Sequence, residues 1–397
     1  MKIAITGMGI ISSIGNTVEE NYEALLSKKA GISQIQNIET LHKEAIKVGE
    51  IKLNNKELST MLGLSEDNNF SRTAMLGAYA AKKAIENAAI FDLNEYKTGL
   101  ISATSVGGMD MTERYYYEYF KNPTLQKYIE THDAGNSSHK IADYIGLKGF
   151  VSTVSTACSS AANAIMLGAR MIASGQLDRV IVGGTDALSK FTINGFKTLM
   201  ILSDTYNTPF DDERKGLNLG EAAAFIVLES DRMITKTNKK VLAYLTGFGN
   251  ANDAYHQTAS SENGEGAFLA MQKAFEKATI TPDKIDYINV HGTATPNNDL
   301  SEGRAIIRAF EGYKIPEFSS TKAFTGHTLA AAAAIEAVYS ILALQNNKVF
   351  PNLNFKTPMK EFDLIPQIEV LDKEINYVLS NSFGFGGNCS TLIFSKK

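Results

Sequence analysis

The sequence predicts an α/β fold in which one unit is used twice and stacked as five layers, α-β-α-β-α. Two observations predict it. The first is a long-range echo. Ile3-Ala4-Ile5-Thr6-Gly7-Met8-Gly9 and Ala243-Tyr244-Leu245-Thr246-Gly247-Phe248-Gly249 are both apolar strands closed by Thr-Gly-x-Gly. The second is a pair of helical runs, 159–169 and 328–335, rich in Ala and Ser and without a charged face.

After each echo the same elements follow in the same order. A strand with a Gly-rich end comes first (98–108 and 286–295). A strand running into an almost wholly apolar helix comes next (151–175 and 318–345). A strand with glycines at its end comes last (179–184 and 377–387). The boundary falls near Lys239, which divides the chain into halves at 1–239 and 240–397. An insertion over about 109–147, rich in tyrosine, has no evident echo in the second half. A helix that is apolar all round must be buried on all sides. Two such helices facing each other between two sheets supply the middle layer.

Composition narrows the function. The 397 residues are 44% hydrophobic and 21% charged, enough for a large core. The net charge is −4, and no basic block or polybasic tail points to nucleic acid or a membrane surface. Two cysteines, Cys158 and Cys389, make neither a disulfide framework nor a zinc set, and a reducing, cytoplasmic setting fits them. The opening MKIAITGMGI reads as a strand and turn rather than a signal peptide. The longest apolar run, 329–335, is interrupted by Glu336. It is expected to be a buried core helix, because a membrane span needs about 20 largely uncharged residues.

Four places carry candidate chemistry. Cys158 stands where a strand turns into the first apolar helix, and a thiol at a helix N-terminus is expected to have a lowered pKa. An inert core cysteine is the alternative. His291 follows a strand and opens His291-Gly292-Thr293-Ala294-Thr295, at a sheet rim where ligands bind. His327 precedes the second apolar helix, whose N-terminus favours a neutral imidazole. Glu336, the lone charge in that helix, needs a partner, and Lys322 is the nearest in sequence. The pair can brace the fold, serve the site, or both. Asn381-Ser382-Phe383-Gly384-Phe385-Gly386-Gly387 is either a loop turning backbone N–H groups to a cavity or a plain glycine turn.

Taken together, these strings resemble the elongating β-ketoacyl-(acyl carrier protein) synthases of the thiolase-like superfamily. The matching blocks are Ser155-Thr156-Ala157-Cys158-Ser159-Ser160, His291 to Thr295, Lys322 with Gly326-His327, and Asn381 to Gly387. The resemblance runs almost end to end and includes Gly220-Glu221-Ala222-Ala223 and Asp253-Ala254-Tyr255-His256. It implies a Cys-His-His condensing enzyme. Cys158 becomes acylated, and His291 and His327 stabilise the enolate formed as malonyl carrier protein loses CO₂. Lys322 and Glu336 match the charged pair beneath the second histidine. The oxyanion hole is assigned to the backbone N–H groups of Cys158 and Phe383, with Phe383 also the gate. Thr293 and Thr295 match groups that bind the pantetheine arm, and Val106 matches a residue lining the acyl pocket. No metal or other cofactor is implied. The implied partners are acyl- and malonyl-loaded carrier protein and a second subunit, identical or related.

Some features depart from the family. Its usual Gly-Gly-Thr-Asn is here Gly386-Gly387-Asn388-Cys389. Thr104 to Asp110, with His132-Asp133, looks more like polyene-pathway synthases. The region before Arg72 holds two acids and one base, and Thr208 replaces an arginine, which predicts poor docking of an acidic carrier unless Lys121 or Lys127 restores the charge. A non-catalytic chain-length-factor-like subunit is the main competing reading. Such proteins lack the cysteine that this chain has at 158. A thiolase acting on acyl-CoA carries a different histidine motif.

Overall fold

A computed structural model describes residues 2–396. Ten strands form one hydrogen-bonded array: β1 (Ile3–Ser12), β2 (Thr98–Ala103), β3 (Phe150–Val154), β4 (Arg179–Asp186), β5 (Ala222–Glu229), β6 (Ala243–Asn252), β7 (Tyr287–Asn289), β8 (Glu317–Ser319), β9 (Tyr377–Phe383) and β10 (Asn388–Ser395). Their spatial order is β8-β7-β9-β10-β6-β1-β5-β4-β2-β3. Read outward from the centre, each half has the same order: first strand, fifth, fourth, second, third. The halves meet where β1 and β6 pair antiparallel through Ile3–Leu245, Ala4–Tyr244 and Ile5–Ala243.

Six helices complete the repeat: α1 (Arg72–Asn87), α2 (Ala134–Ile145), α3 (Ser160–Ala173), α4 (Glu265–Ala278), α5 (Pro296–Ala309) and α6 (Ala332–Asn346). Helices α3 and α6 touch each other and strands of both halves, so they form the middle layer. Helices α1 and α2 cover the outside of the first half, and α4 and α5 cover the second. Helix α2, inside the stretch read as an insertion, sits between β2 and β3 as α5 sits between β7 and β8.

The Thr-Gly-x-Gly echo has a packing cause. A Cβ on Gly7 or Gly9 would lie 2.3 Å from the Ala84 carbonyl or 2.2 Å from that of Ala80 on α1. On Gly247 or Gly249 it would lie 2.5 Å from the Ala274 carbonyl or 2.0 Å from that of Ala270 on α4. In each half the glycine pair lets the outer helix rest on the strand backbone. Alanines do the same in the middle layer, where Ala161, Ala162 and Ala164 on α3 share one core with Ala333, Ala334 and Ala337 on α6. The stretch Leu329–Asn346 is apolar and long enough to cross a membrane by composition alone, yet 89% of it is buried inside this core.

Candidate active site

The N-terminal ends of the two middle helices lie side by side, and each carries a candidate residue. Cys158 ends a turn held by Thr156 N–H donating to Ser160 Oγ (2.8 Å) and Ser160 N–H donating to the Ala157 carbonyl (3.1 Å). Ala157 has φ +53°, a left-handed conformation that a non-glycine residue adopts at a cost of about 1–3 kcal/mol. Ala294 (φ +65°) follows His291, and Leu329 (φ +54°) follows His327. All three candidate residues therefore sit beside strained backbone, which persists only where surrounding structure holds it.

The backbone of each histidine is clamped. His327 N–H donates to the Asn218 carbonyl (2.7 Å), and its own carbonyl accepts from Gly220 N–H (2.9 Å). His291 N–H and Gly292 N–H donate to the two carboxylate oxygens of Glu302, each at 2.8 Å. Asn381 Nδ2 donates to the same carboxylate at 3.1 Å. The imidazole rings are 5.4 Å apart at 88°, and His291 lies 5.6 Å from the Phe383 ring.

One cavity of about 320 Å³ brings Cys158, His291, Thr293, Thr295, His327 and Phe383 together. The hydroxyls of Thr293 and Thr295 are 2.9 Å apart in its wall. Behind the wall, Lys322 Nζ meets Glu336 Oε1 at 2.5 Å, with both side chains 2% exposed or less. Ser382 Oγ donates to the other Glu336 oxygen at 3.5 Å.

The electrostatics follow from burial beside the Lys322 charge. His291 is held well below the ordinary histidine range by burial first, then by Lys322 and His327. His327 is lowered by burial and then by Lys322. Both imidazoles are therefore neutral at neutral pH. Leu329 N–H donates to His327 Nδ1 at 3.3 Å, which places that ring's proton on Nε2. The expected lowering of the Cys158 pKa is reversed. Burial pushes the thiol up to about 11, outweighing the pull of Lys322 and of the N–H groups of Phe385 and Cys158 itself.

One further expectation is corrected. Besides its own, the backbone N–H that bears on the Cys158 thiol is that of Phe385, not Phe383. Phe383 is the last residue of β9, in register with Cys389, whereas Phe385 sits in the loop among Gly384, Gly386 and Gly387 and stacks on Phe196 at 5.9 Å. Val106 is not among the residues lining this cavity. Its backbone N–H lies 3.4 Å from Asp186 Oδ1.

Sequence reasoning missed Glu302 and Asp186. Asp186, at the end of β4, accepts from Thr104 Oγ1 (2.5 Å), Ser105 N–H and Ala330 N–H (2.9 Å), tying the segment before Val106 to the one after His327. The spacing of Asp299 and Glu302, one helical turn apart on the buried face of α5 with Ala305 and Ile306, was a readable signal. Burial raises the Glu302 pKa to about 7, against the two N–H donors that lower it. Glu302→Gln puts an NH₂ where a backbone donor needs an acceptor, a mismatch worth about 1–3 kcal/mol. On the chemistry that the resemblance implies, the expected result is a lower melting temperature and a larger loss in malonyl decarboxylation than in Cys158 acylation. Equal losses in both half-reactions would show that Glu302 does not act through His291.

Residues 1–233 match the family described as "Beta-ketoacyl synthase, N-terminal domain", and residues 242–356 match "Beta-ketoacyl synthase, C-terminal domain". The chain is 34% identical over 410 residues to a Staphylococcus aureus protein named 3-oxoacyl-[acyl-carrier-protein] synthase 2, covering 100% of this chain and 98% of that one. The structure is similar to the ishigamide ketosynthase/chain length factor, with TM-score 0.93, 27% identity, and coverage of 100% of this chain and 99% of the other. It is also similar to a Xenorhabdus doucetiae ketosynthase in complex with its chain length factor, with TM-score 0.86, 29% identity, and coverage of 99% and 98%. With the two matching halves of the strand array, the buried middle helices, and Cys158, His291 and His327 around one cavity, these matches establish that the chain belongs to the β-ketoacyl synthase family.

Proposed function

We propose that this protein is a β-ketoacyl-(acyl carrier protein) synthase in which Cys158, His291 and His327 perform a decarboxylative Claisen condensation. The observation that carries the reading is the meeting of these three side chains in one cavity. Cys158 Sγ attacks the carbonyl of an acyl thioester, and the pantetheine thiol leaves with the proton that Sγ gives up. A thiol raised to about 11 holds only ~10⁻³ thiolate at pH 8, so a neutral imidazole facing it takes that proton as the bond forms. Malonyl thioester then loses its carboxylate as CO₂. His291 and His327 donate to the thioester oxygen as it becomes an enolate. The enolate carbon attacks the acyl-Cys158 carbonyl, whose oxyanion faces the N–H groups of Cys158 and Phe385, and Sγ leaves as thiolate.

Lys322 and Glu336 hold the second histidine's segment and keep a positive charge under both imidazoles. Thr293 and Thr295 receive the pantetheine arm. In this assignment Phe385, rather than Phe383, is the gate, because it is half-buried and flanked by glycines at φ +80° (Gly386 and Gly387). Phe385→Ala is expected to shift the ratio of long-chain to short-chain acylation of Cys158 by roughly tenfold while barely moving the melting temperature. Intact-mass time courses with a chain-length series measure it, and an unchanged profile counts against the gate.

The two repeats are taken as 1–239 and 240–397, in line with family matches that end at 233 and resume at 242. A second subunit is expected at β3, the half-buried outer strand of the array, where Phe150 is exposed and, among the described residues, one row of backbone groups has no strand beside it. That subunit is an identical copy or a related chain-length-factor-like protein, and it would close the acyl pocket near Val106. The free thiols Cys158 and Cys389 suit a reducing cytoplasm. The reading is tested by intact-mass detection of acyl-Cys158 after incubation with acyl carrier protein, followed by product formation on adding malonyl carrier protein.

A further inference from the structure

Resting on the condensing-enzyme reading, we propose that the cavity mouth is an apolar, charge-poor docking rim, made for a carrier protein that presents an apolar face rather than an acidic one. The cavity is the route to Cys158, so whatever delivers the thioester must sit over its mouth. Phe196 and Ile201 form one side of the wall, and His256 and Thr258 form another. The residues beside them are large, apolar and open to solvent: Phe191 is 56% exposed, Leu199 42%, Met200 88% and Tyr255 65%.

Charge is scarce there. The segment 197–206 carries one Lys and one Asp, Lys197 and Asp204, and the segment 254–260 carries no Lys, Arg, Asp or Glu. Two of the basic residues considered for docking are engaged within the chain, while Lys121 is exposed. Arg72 is buried in a bidentate pair with Glu221, at 2.6 and 2.9 Å, and does not face a partner. Lys127 is held by Asp67 at 2.5 Å.

Met200 follows the helix Lys190–Thr198 with φ +56°, a conformation that a non-glycine residue rarely adopts, and this turn holds its side chain outward. Aromatic residues and methionine are enriched, and charged residues depleted, at the centres of protein interfaces. A rim of this kind gains its affinity by apolar burial. It offers little electrostatic steering, so association should depend weakly on salt.

The test measures the rate of Cys158 acylation by intact mass with three donors carrying the same acyl group. They are the acidic fatty-acid carrier protein of Staphylococcus aureus, that carrier with the surface acids of its docking helix changed to serine, and an acyl-N-acetylcysteamine thioester. The expected result is that the neutralised carrier works at least as well as the acidic one. With either carrier the rate should change less than threefold between 50 and 500 mM salt, a range over which a charge-steered encounter falls roughly tenfold or more. The double variant Leu199→Ser, Met200→Ser should lose roughly tenfold with the neutralised carrier and less than twofold with the small thioester. Three results overturn the proposal: a tenfold preference for the acidic carrier with a steep fall in salt, unchanged carrier rates in the double variant, or carriers that are no faster than the small thioester. Failure of the small thioester to label Cys158 in the wild type would instead remove the condensing-enzyme reading itself.

Discussion

Cys158→Ala is expected to remain at its unmodified mass after incubation with any acyl carrier protein, with condensation lowered by ~10⁴ or more. The sulfur lies in the cavity with both histidines, and the backbone N–H groups of Phe385 and of Cys158 itself pull its pKa down against burial. Cys389 lines the same cavity, but burial and the nearby Asp253 and Glu302 push its thiol far above the useful range. Cys389→Ser should therefore still acylate. The raised Cys158 pKa adds a pH signature. Between the lowered histidine values and about 11, the thiol and the neutral imidazole that takes its proton are both the prevailing forms, so acylation should stay nearly level from pH 7 to pH 9. The measurement is an intact-mass time course on wild type and both variants. Label found on Cys389, or label that persists in Cys158→Ala, overturns the assignment.

The features legible in the sequence were those set by local spacing. The Thr-Gly-x-Gly echo appeared twice because each outer helix needs two glycines beneath it, and that need is written within seven residues. The middle helices were legible because a helix without a charged face has only one kind of place to go. Cys158, His291 and His327 were legible because each follows a strand or opens a helix. Glu336 and Lys322 were legible because a lone charge in an apolar run implies a partner, which the structure supplies.

What was not legible depended on distant chain. The helix end at Cys158 predicts a lowered pKa, but enclosure by the 384–387 loop and by the histidine segments decides the sign. The choice between Phe383 and Phe385 turns on where β9 ends, and a shift of two residues separates a side chain held in a strand from one free in a loop. Arg72 read as a surface base because its partner, Glu221, lies 149 residues away.

His291→Ala and His327→Ala are each expected to lower malonyl decarboxylation by roughly 10²–10³ while leaving a folded, cooperative protein. Both rings are neutral, both line the cavity, and Leu329 N–H fixes the proton of His327 on Nε2. Two donors sharing one developing enolate oxygen act as a unit, so the double variant should lose less than the product of the two single losses. The lowered pKa values make the donors independent of pH near neutrality. Decarboxylation should show no inflection at the ordinary histidine value of about 6.5, and a decline is expected only as pH falls through the lowered folded values. Lys322→Met is the contrasting variant. It leaves Glu336 buried without its cation, a loss of about 3–5 kcal/mol, so it should damage folding before it reveals anything of catalysis. The readouts are CO₂ release from malonyl carrier protein, acylation of Cys158 and the melting temperature, measured on the same preparations. Wild-type CO₂ release in either histidine variant would mean that its ring does not carry the enolate, and equal damage to melting in the histidine and Lys322 variants would mean that the imidazoles brace the fold instead.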